Sequence, residues 1–127
     1  MSGALSWNGT VVRPLMPASG ETQNGEPFAV PKGARVMTVH VPALAGSNTT
    51  VKVQALAPVA GVDQSANQTW ADVTAFDVTD GGYEALDGIP ESTTATFPVS
   101  VTGGGMLRLV ASADQSASPV AIPVFFA

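Results

Sequence analysis

The side chains able to do chemistry are few: one imidazole, His40, and a run of acids at Asp72, Asp77, Asp80, Glu84 and Asp87, with no cysteine anywhere. A hydrolytic triad needs a nucleophile, a base and an orienting carboxylate within hydrogen-bond reach. His40 stands in Val39-His40-Val41 with no Ser or Asp beside it. It is read as a half-buried strand histidine on the face of Val36 and Thr38. Neither a G-x-S-x-G elbow nor a glycine-rich loop ending in G-K-[ST] is present. Paired carboxylates could serve glycoside hydrolysis, but that chemistry also needs aromatics to grip sugar rings. With two Trp and one Tyr, the acids read instead as solvated turn and strand-end residues, Asp80 and Asp87 initiating turns before Gly81 and Gly88. The stretch Asp77-Val78-Thr79-Asp80-Gly81-Gly82 clusters oxygen ligands, yet the twelfth place of an EF-hand loop counted from Asp77 is Gly88, not Glu. Calcium there is left open. No catalytic residue, cofactor or metal is expected.

The bulk composition narrows the partners. Ten acidic and five basic residues give a net charge of −5. Nucleic-acid binding requires clustered Lys and Arg to neutralise phosphates, whereas Arg13, Lys32, Arg35, Lys52 and Arg108 are scattered singly. Neither nucleic acid nor an anionic membrane is an expected partner. No run approaches the roughly 18 apolar residues that cross a bilayer, and no basic segment followed by an apolar core opens the chain. The protein is expected to be soluble and made without an export signal. The triplets at Asn8, Asn48 and Asn67 then read as turn sequences, not glycosylation acceptors.

The elements that must position these residues are strands. At 127 residues, one domain is expected. Hydrophobic residues alternate in short runs between Gly, Pro, Ser, Asn and Asp, the signature of an all-β sandwich. The candidate strands are Phe28–Val30, Ala34–Val41, Thr50–Ala57, Thr69–Val78, Gly82–Leu86, Thr94–Val101, Met106–Ser112 and Val120–Phe126, with at most one helical turn in Val62–Asn67. Val51, Val53 and Ala55 face one way and Lys52 and Gln54 the other; Leu107 and Leu109 oppose Met106, Arg108 and Val110. Thr69–Val78 carries apolar residues on both faces, which suits either the middle of a sandwich or a face covered by another subunit. Pro98 and Pro123 lie inside apparent strands, where a missing N–H is tolerated at edges or bulges, so both strands are expected at sheet edges. Residues 1–27, punctuated by Gly and Pro, read as an extended N-terminal arm with one short strand near Thr10–Leu15, leaving 28–127 as the sandwich.

Several strings resemble small virion proteins of tailed bacteriophages: Phe28-Ala-Val-Pro-Lys-Gly-Ala-Arg35 leading into Val36–Ala45, Val51–Pro58, Thr69–Asp77, Tyr83–Pro90 and Gly105–Ser112. The likeness is one of general style over residues 28–126 and is greatest to head decoration, or cement, proteins. It implies a jelly-roll-like or β-tulip-like antiparallel sandwich with a protruding arm. It also implies a non-enzymatic, homo-oligomeric protein located in the virion, with the major capsid protein as partner. On that reading Trp7, Val11, Val12 and Leu15 would anchor the arm, Arg13 would pair with acidic capsid groups, and Phe125 and Phe126 would meet a neighbouring subunit. Ordinary intramolecular packing is the alternative for each. Two rival functions stand beside it: a tail, collar or fibre module, and a carbohydrate-binding module using Trp70, Phe76 or Tyr83 as a sugar platform.

Overall fold

The computed structural model describes residues 9–57, 69–77, 82–85, 88–99 and 105–127. The chain forms an all-β, antiparallel sandwich. Its strands are β1 (Thr10–Val12), β2 (Leu15–Met16), β3 (Phe28–Ala29), β4 (Val36–Val41), β5 (Thr50–Ala57), β6 (Thr69–Asp72) and β7 (Thr74–Asp77), followed by β8 (Gly82–Ala85), β9 (Ile89–Pro90), β10 (Thr93–Pro98), β11 (Met106–Ala111), β12 (Val120–Ala121) and β13 (Val124–Phe126). One sheet has the order β1-β13-β4-β10. The other runs β3-β11-β5-β6, with β9 also on β5. Two ribbons pair β2 with β12 and β7 with β8, and an isolated bridge joins Asn24 to Val110.

The period-2 reading places the core correctly. Met37, Val39 and Val41 of β4, Val51 and Val53 of β5, and Leu107, Leu109 and Ala111 of β11 are buried, while their alternating neighbours are not. Val124 and Phe126 of β13 fill the middle of the first sheet's inner face, and the Phe126 ring tilts against Phe28 with centroids 6.2 Å apart. Met16 and Ile122 add to the same cluster from the β2–β12 ribbon and its exit. Alternation works because successive side chains in a strand point to opposite faces.

The expected arm is not separate from the sandwich. From Thr10 onward the segment is stitched to it by backbone bonds, since a chain lying on a protein surface must still satisfy its N–H and C=O groups. β1 pairs with β13, and β2 with β12. Gly25 N–H donates to Leu109 O at 2.7 Å, Ala111 N–H to Gln23 O at 2.9 Å and Gln115 N–H to Thr22 O at 2.8 Å. Pro14, Met16, Pro17 and Gly25 are buried. A Cβ on Gly25 would sit 3.1 Å from Leu109 O, so the close approach of these two backbones uses the missing side chain. The division after residue 27 is therefore corrected. Residues 1–8, with Trp7, lie outside the described residues, as do the expected helical turn at Val62–Asn67 and residues 78–81 of the acidic stretch.

Two apparent strands are each broken in two. Thr69–Val78 divides at the buried Val73, whose N–H still donates to Val53 O (3.1 Å) before β7 leaves to pair with β8. Val120–Phe126 divides at Pro123, which has no N–H to give a ladder. Pro98 ends β10, an edge strand as expected. Pro123 is a correction, because β13 lies inside its sheet between β1 and β4. Its pyrrolidine is accommodated at the bend where the chain leaves the ribbon for the sheet, and its carbonyl accepts from His40 N–H at 3.0 Å.

The loops are held by a buried amide. Gln115 is fully buried; its Oε1 accepts from Ala45 N–H (2.9 Å) and its Nε2 donates to Ala45 O (2.8 Å) and Ala113 O (3.2 Å). Thr49, also buried, donates its hydroxyl to the same Ala45 O at 2.7 Å. The loop after β4 is thereby fastened to the loop after β11.

Phe126→Ala should lower stability in urea denaturation by about 3–5 kcal/mol, the usual range for a fully buried Phe truncated to Ala. Phe125→Ala, from the outer face, should cost clearly less. Equal losses at the two positions would refute the inward assignment of Phe126.

Candidate functional site

With the core filled by apolar side chains, the polar and aromatic residues available for recognition stand on the outer faces of the two sheets. The strand register places them in rows, because residues directly opposite one another share a face.

On the four-stranded sheet, the outer row crosses every strand: Val11, Phe125, Thr38 and Thr96 stand side by side. His40 opposite Thr94, and Val36 opposite Pro98, form the flanking rows. Thr38 and Thr96 hydroxyls hydrogen bond at 2.9 Å, and His40 Nδ1 hydrogen bonds Thr94 Oγ1. Val36 is 38% exposed. His40 stands on the predicted face but is exposed, not half-buried. Its side chain forms a cross-strand pair with a threonine hydroxyl.

On the five-stranded sheet, the outer face carries a polar row beside apolar pairs. Asp72, Gln54 and Arg108 lie opposite one another across β6, β5 and β11. Gln54 Nε2 donates to Asp72 Oδ1 at 2.9 Å, Arg108 Nε donates to Gln54 Oε1 at 2.8 Å, and Lys52 Nζ donates to Asp72 Oδ2 at 3.2 Å. The Lys52–Asp72 ion pair is solvent-exposed, so it contributes little to stability. The guanidinium of Arg108 lies 4.7 Å from the Trp70 ring centroid, a cation–π stack. On the same face stand two apolar pairs, Trp70 opposite Leu56 and Met106 opposite Ala29. Trp70 and Leu56 are half-buried, and Met106 is 37% exposed. Trp, Met and Arg are the side chains most enriched at protein interfaces, and here they meet on one face.

The electrostatics follow from these contacts. The Gln54 amide and then the Lys52 ammonium hold the Asp72 carboxyl below the usual aspartate range. Partial burial draws the Arg108 guanidinium down from its ordinary value, with Glu21 acting the other way; it stays charged at any physiological pH. Asp114 is lowered by the hydroxyl and backbone N–H of Ser116, which close a local turn. A polar groove of about 320 Å³ opens at the far end of this face, lined by Gln23, Thr50, Lys52, Gly88, Val110 and Ser112 among others. An apolar cleft of about 220 Å³ opens between the sheets at β10, lined by Val51, Val53, Ile89, Ala95 and Phe97 with Lys52 and Thr96 at its rim.

The residues expected to bind a partner are dispersed by the fold. Val11 and Phe125 are adjacent on the outer face of the four-stranded sheet. Arg13 and Leu15 are exposed, at the bend between β1 and β2 and on β2 itself. Val12 packs against the core. Phe126 is buried, which removes it as a subunit contact: Val124, Phe126 and Met37 share the inward face of the sheet. Sequence reasoning missed the Trp70–Arg108–Gln54–Asp72 constellation. Period-2 alternation placed Gln54 and Arg108 outward, but which strands lie side by side is decided by pairing across long stretches of chain. Among the described residues no group of three or more His, Cys, Asp or Glu could hold a metal ion, and no helix is long and apolar enough to cross a membrane. Comparison of the chain with known protein families, with curated proteins and with solved structures finds no match.

Because its pKa is depressed in the folded state, Asp72 stabilises the fold when ionised, and that contribution is lost as pH falls through the depressed value. In an NMR pH titration Asp72 should titrate below the ordinary value of about 3.9. Gln54→Ala should move it upward more than Lys52→Ala does. A larger shift from the lysine variant would show that the charge, not the amide, sets it.

Proposed function

We propose that this protein is a non-enzymatic structural component of a tailed-bacteriophage virion, a decoration protein that binds the major capsid protein and stabilises the shell. The observation that carries the reading is the outer face of the five-stranded sheet. There Trp70, Leu56 and Met106 are half-buried to exposed apolar side chains on one face, with Arg108 stacked on the tryptophan. An open sheet face of this kind suits a broad, repeated protein surface. Arg108 and Lys52 place two cations on this face of an acidic chain, beside the carboxylates of Asp72 and Glu21, and these cations suit acidic groups on a shell. Repetition over the lattice would then multiply a modest single contact into firm attachment. The general resemblance of residues 28–126 to cement proteins supports the same reading.

A carbohydrate-binding module is the competing reading from another class. Trp70 beside Asp72, Gln54 and Lys52 has the residue types such sites use. The Arg108 guanidinium, however, occupies the side of the ring on which it stacks, which counts against an open sugar platform.

Particles containing this chain should carry it in hundreds of copies, measured by mass spectrometry against the major capsid protein. A few to dozens of copies would indicate a tail or collar part instead, and absence from particles would remove the virion role. In co-sedimentation with shells lacking the protein, Trp70→Ala and Met106→Ser should each weaken binding about tenfold or more. Binding unchanged by both variants would exclude this face as the capsid contact.

A further inference from the structure

We propose that β10 is a dimerisation edge, at which two copies of this chain pair antiparallel about a two-fold axis at Ala95 and join their four-stranded sheets into one. The contact can be tested on the purified chain and does not rest on the virion reading.

The backbone geometry specifies the site. In an antiparallel ladder, alternate residues point both N–H and C=O to the same neighbour. Val36 and His40 of β4 direct theirs to the β13 side, donating to Ala127 O and Pro123 O. Met37, Val39 and Val41 therefore serve β10, where their partners are Phe97, Ala95 and Thr93. Val99 N–H donating to Arg35 O at 2.8 Å continues the same alternation. This leaves the N–H and C=O of Thr94 and Thr96 pointing away from β4. Among the described residues no strand pairs with that side of β10.

The open stretch is bounded on both sides. Pro98 has the same parity as Thr94 and Thr96 but carries no N–H, and Ser92 has a left-handed backbone (φ 58°) that departs from strand geometry. Only Thr94 and Thr96 offer both groups outward. Those two residues are complementary to each other in an antiparallel pair centred on Ala95. Thr94 of one copy faces Thr96 of the other, and each such pair exchanges both N–H···O=C bonds. Ala95 faces its own counterpart as a non-hydrogen-bonded pair. A different register would leave donors or acceptors unmatched.

Two further observations favour a second copy as the occupant. Exposed edges in monomers are guarded by charge, by proline or by a covering element; β10 reads Thr-Thr-Ala-Thr-Phe-Pro, with no charge and with its proline closing the open stretch at one end only. In the antiparallel arrangement the nearest acid, Glu91, lies at opposite ends of the two strands, so the net charge of −5 is not concentrated at the contact. The apolar cleft between the sheets also opens at this edge, with Ala95 and Phe97 in its wall. Register places Phe97 of one copy opposite Thr93 of the other, so pairing would cover the half-buried ring and help seal the cleft. Closed two-fold pairing is also the commonest symmetry of homo-oligomers.

The absence of cysteine makes a clean test possible. Cα atoms of a non-hydrogen-bonded antiparallel pair lie about 4.5 Å apart, within the span of a disulfide. Ala95→Cys should therefore oxidise rapidly to a covalent dimer of twice the chain mass, while Ala29→Cys, on a different edge, should not. By sedimentation velocity the unmodified protein should show concentration-dependent dimerisation. Thr96→Pro removes an outward donor, and Thr96→Lys places like charges across the axis; each should weaken the dimer about tenfold or more while circular dichroism remains that of the folded protein. A chain that stays monomeric, with Ala95→Cys oxidising no faster than the control, would overturn the proposal. So would a dimer that survives both Thr96 variants, or preferential pairing of this edge with a capsid strand in a mixed complex.

Discussion

The sandwich depends on one kinked antiparallel pairing between the first and last described strands. Thr10–Val12 pairs with Val124–Phe126, and Leu15–Met16 with Val120–Ala121, all in a single continuous register. Between them Ile122 N–H donates to Pro14 O at 3.0 Å, so the ladder continues through the bend. Pro14 and Pro123 fall at that bend, one on each strand. Each lacks the N–H that a straight ladder would use, and each tolerates the turn. The pair thus starts beside the four-stranded sheet and ends as a ribbon whose Met16 reaches the core. Without β13, β1 would lose its partner and β4 its inner neighbour, and Phe126 would leave the space it fills against Phe28.

That arrangement explains why the hydrogen-bonding side chains stand on the sheet faces. The interior is occupied by Val, Leu, Ile, Met, Ala and Phe, and the large polar side chain buried among the described residues, Gln115, has its amide engaged in fastening loops. A buried amide satisfied in this way costs little; left unpaired it would be expensive. The polar groups with chemical character are displaced to the outer faces, where cross-strand pairs such as Asp72–Gln54 and Thr38–Thr96 organise them. Such surfaces present a fixed shape together with fixed donors and acceptors.

The inward and outward sides of the strands were legible in the sequence because a period of two is local. Val51-Lys52-Val53-Gln54 and Leu107-Arg108-Leu109 declare their faces with no knowledge of their neighbours. The turn residues likewise marked where most strands stop, and Thr50–Ala57 is found with the bounds the pattern implies. Prolines were harder. A missing N–H signals an edge, an end or a bend with equal force, and only pairing distinguishes Pro98 at the end of an edge strand from Pro123 at a bend within the sandwich. The N-terminal segment misled for a related reason. Gly and Pro there suggested a free arm, yet Gly25 permits close backbone contact with Leu109 and Pro14 sits opposite a hydrogen-bonded neighbour.

The sequence by itself determined an all-β chain, the alternation of its core, and the poverty of reactive side chains. Each of these is a property of composition or of residues a few positions apart. Only the tertiary structure decided that Trp70 meets Arg108, that Phe126 lies inside while Phe125 lies outside in a row with Val11, and that among the described strands β10 ends its sheet, with Thr94 and Thr96 turned outward. These outcomes depend on which strands become neighbours. In an antiparallel sandwich that choice is made by burial and hydrogen-bond closure over the whole chain, across separations as long as that between Thr10 and Phe126, and no local pattern encodes it.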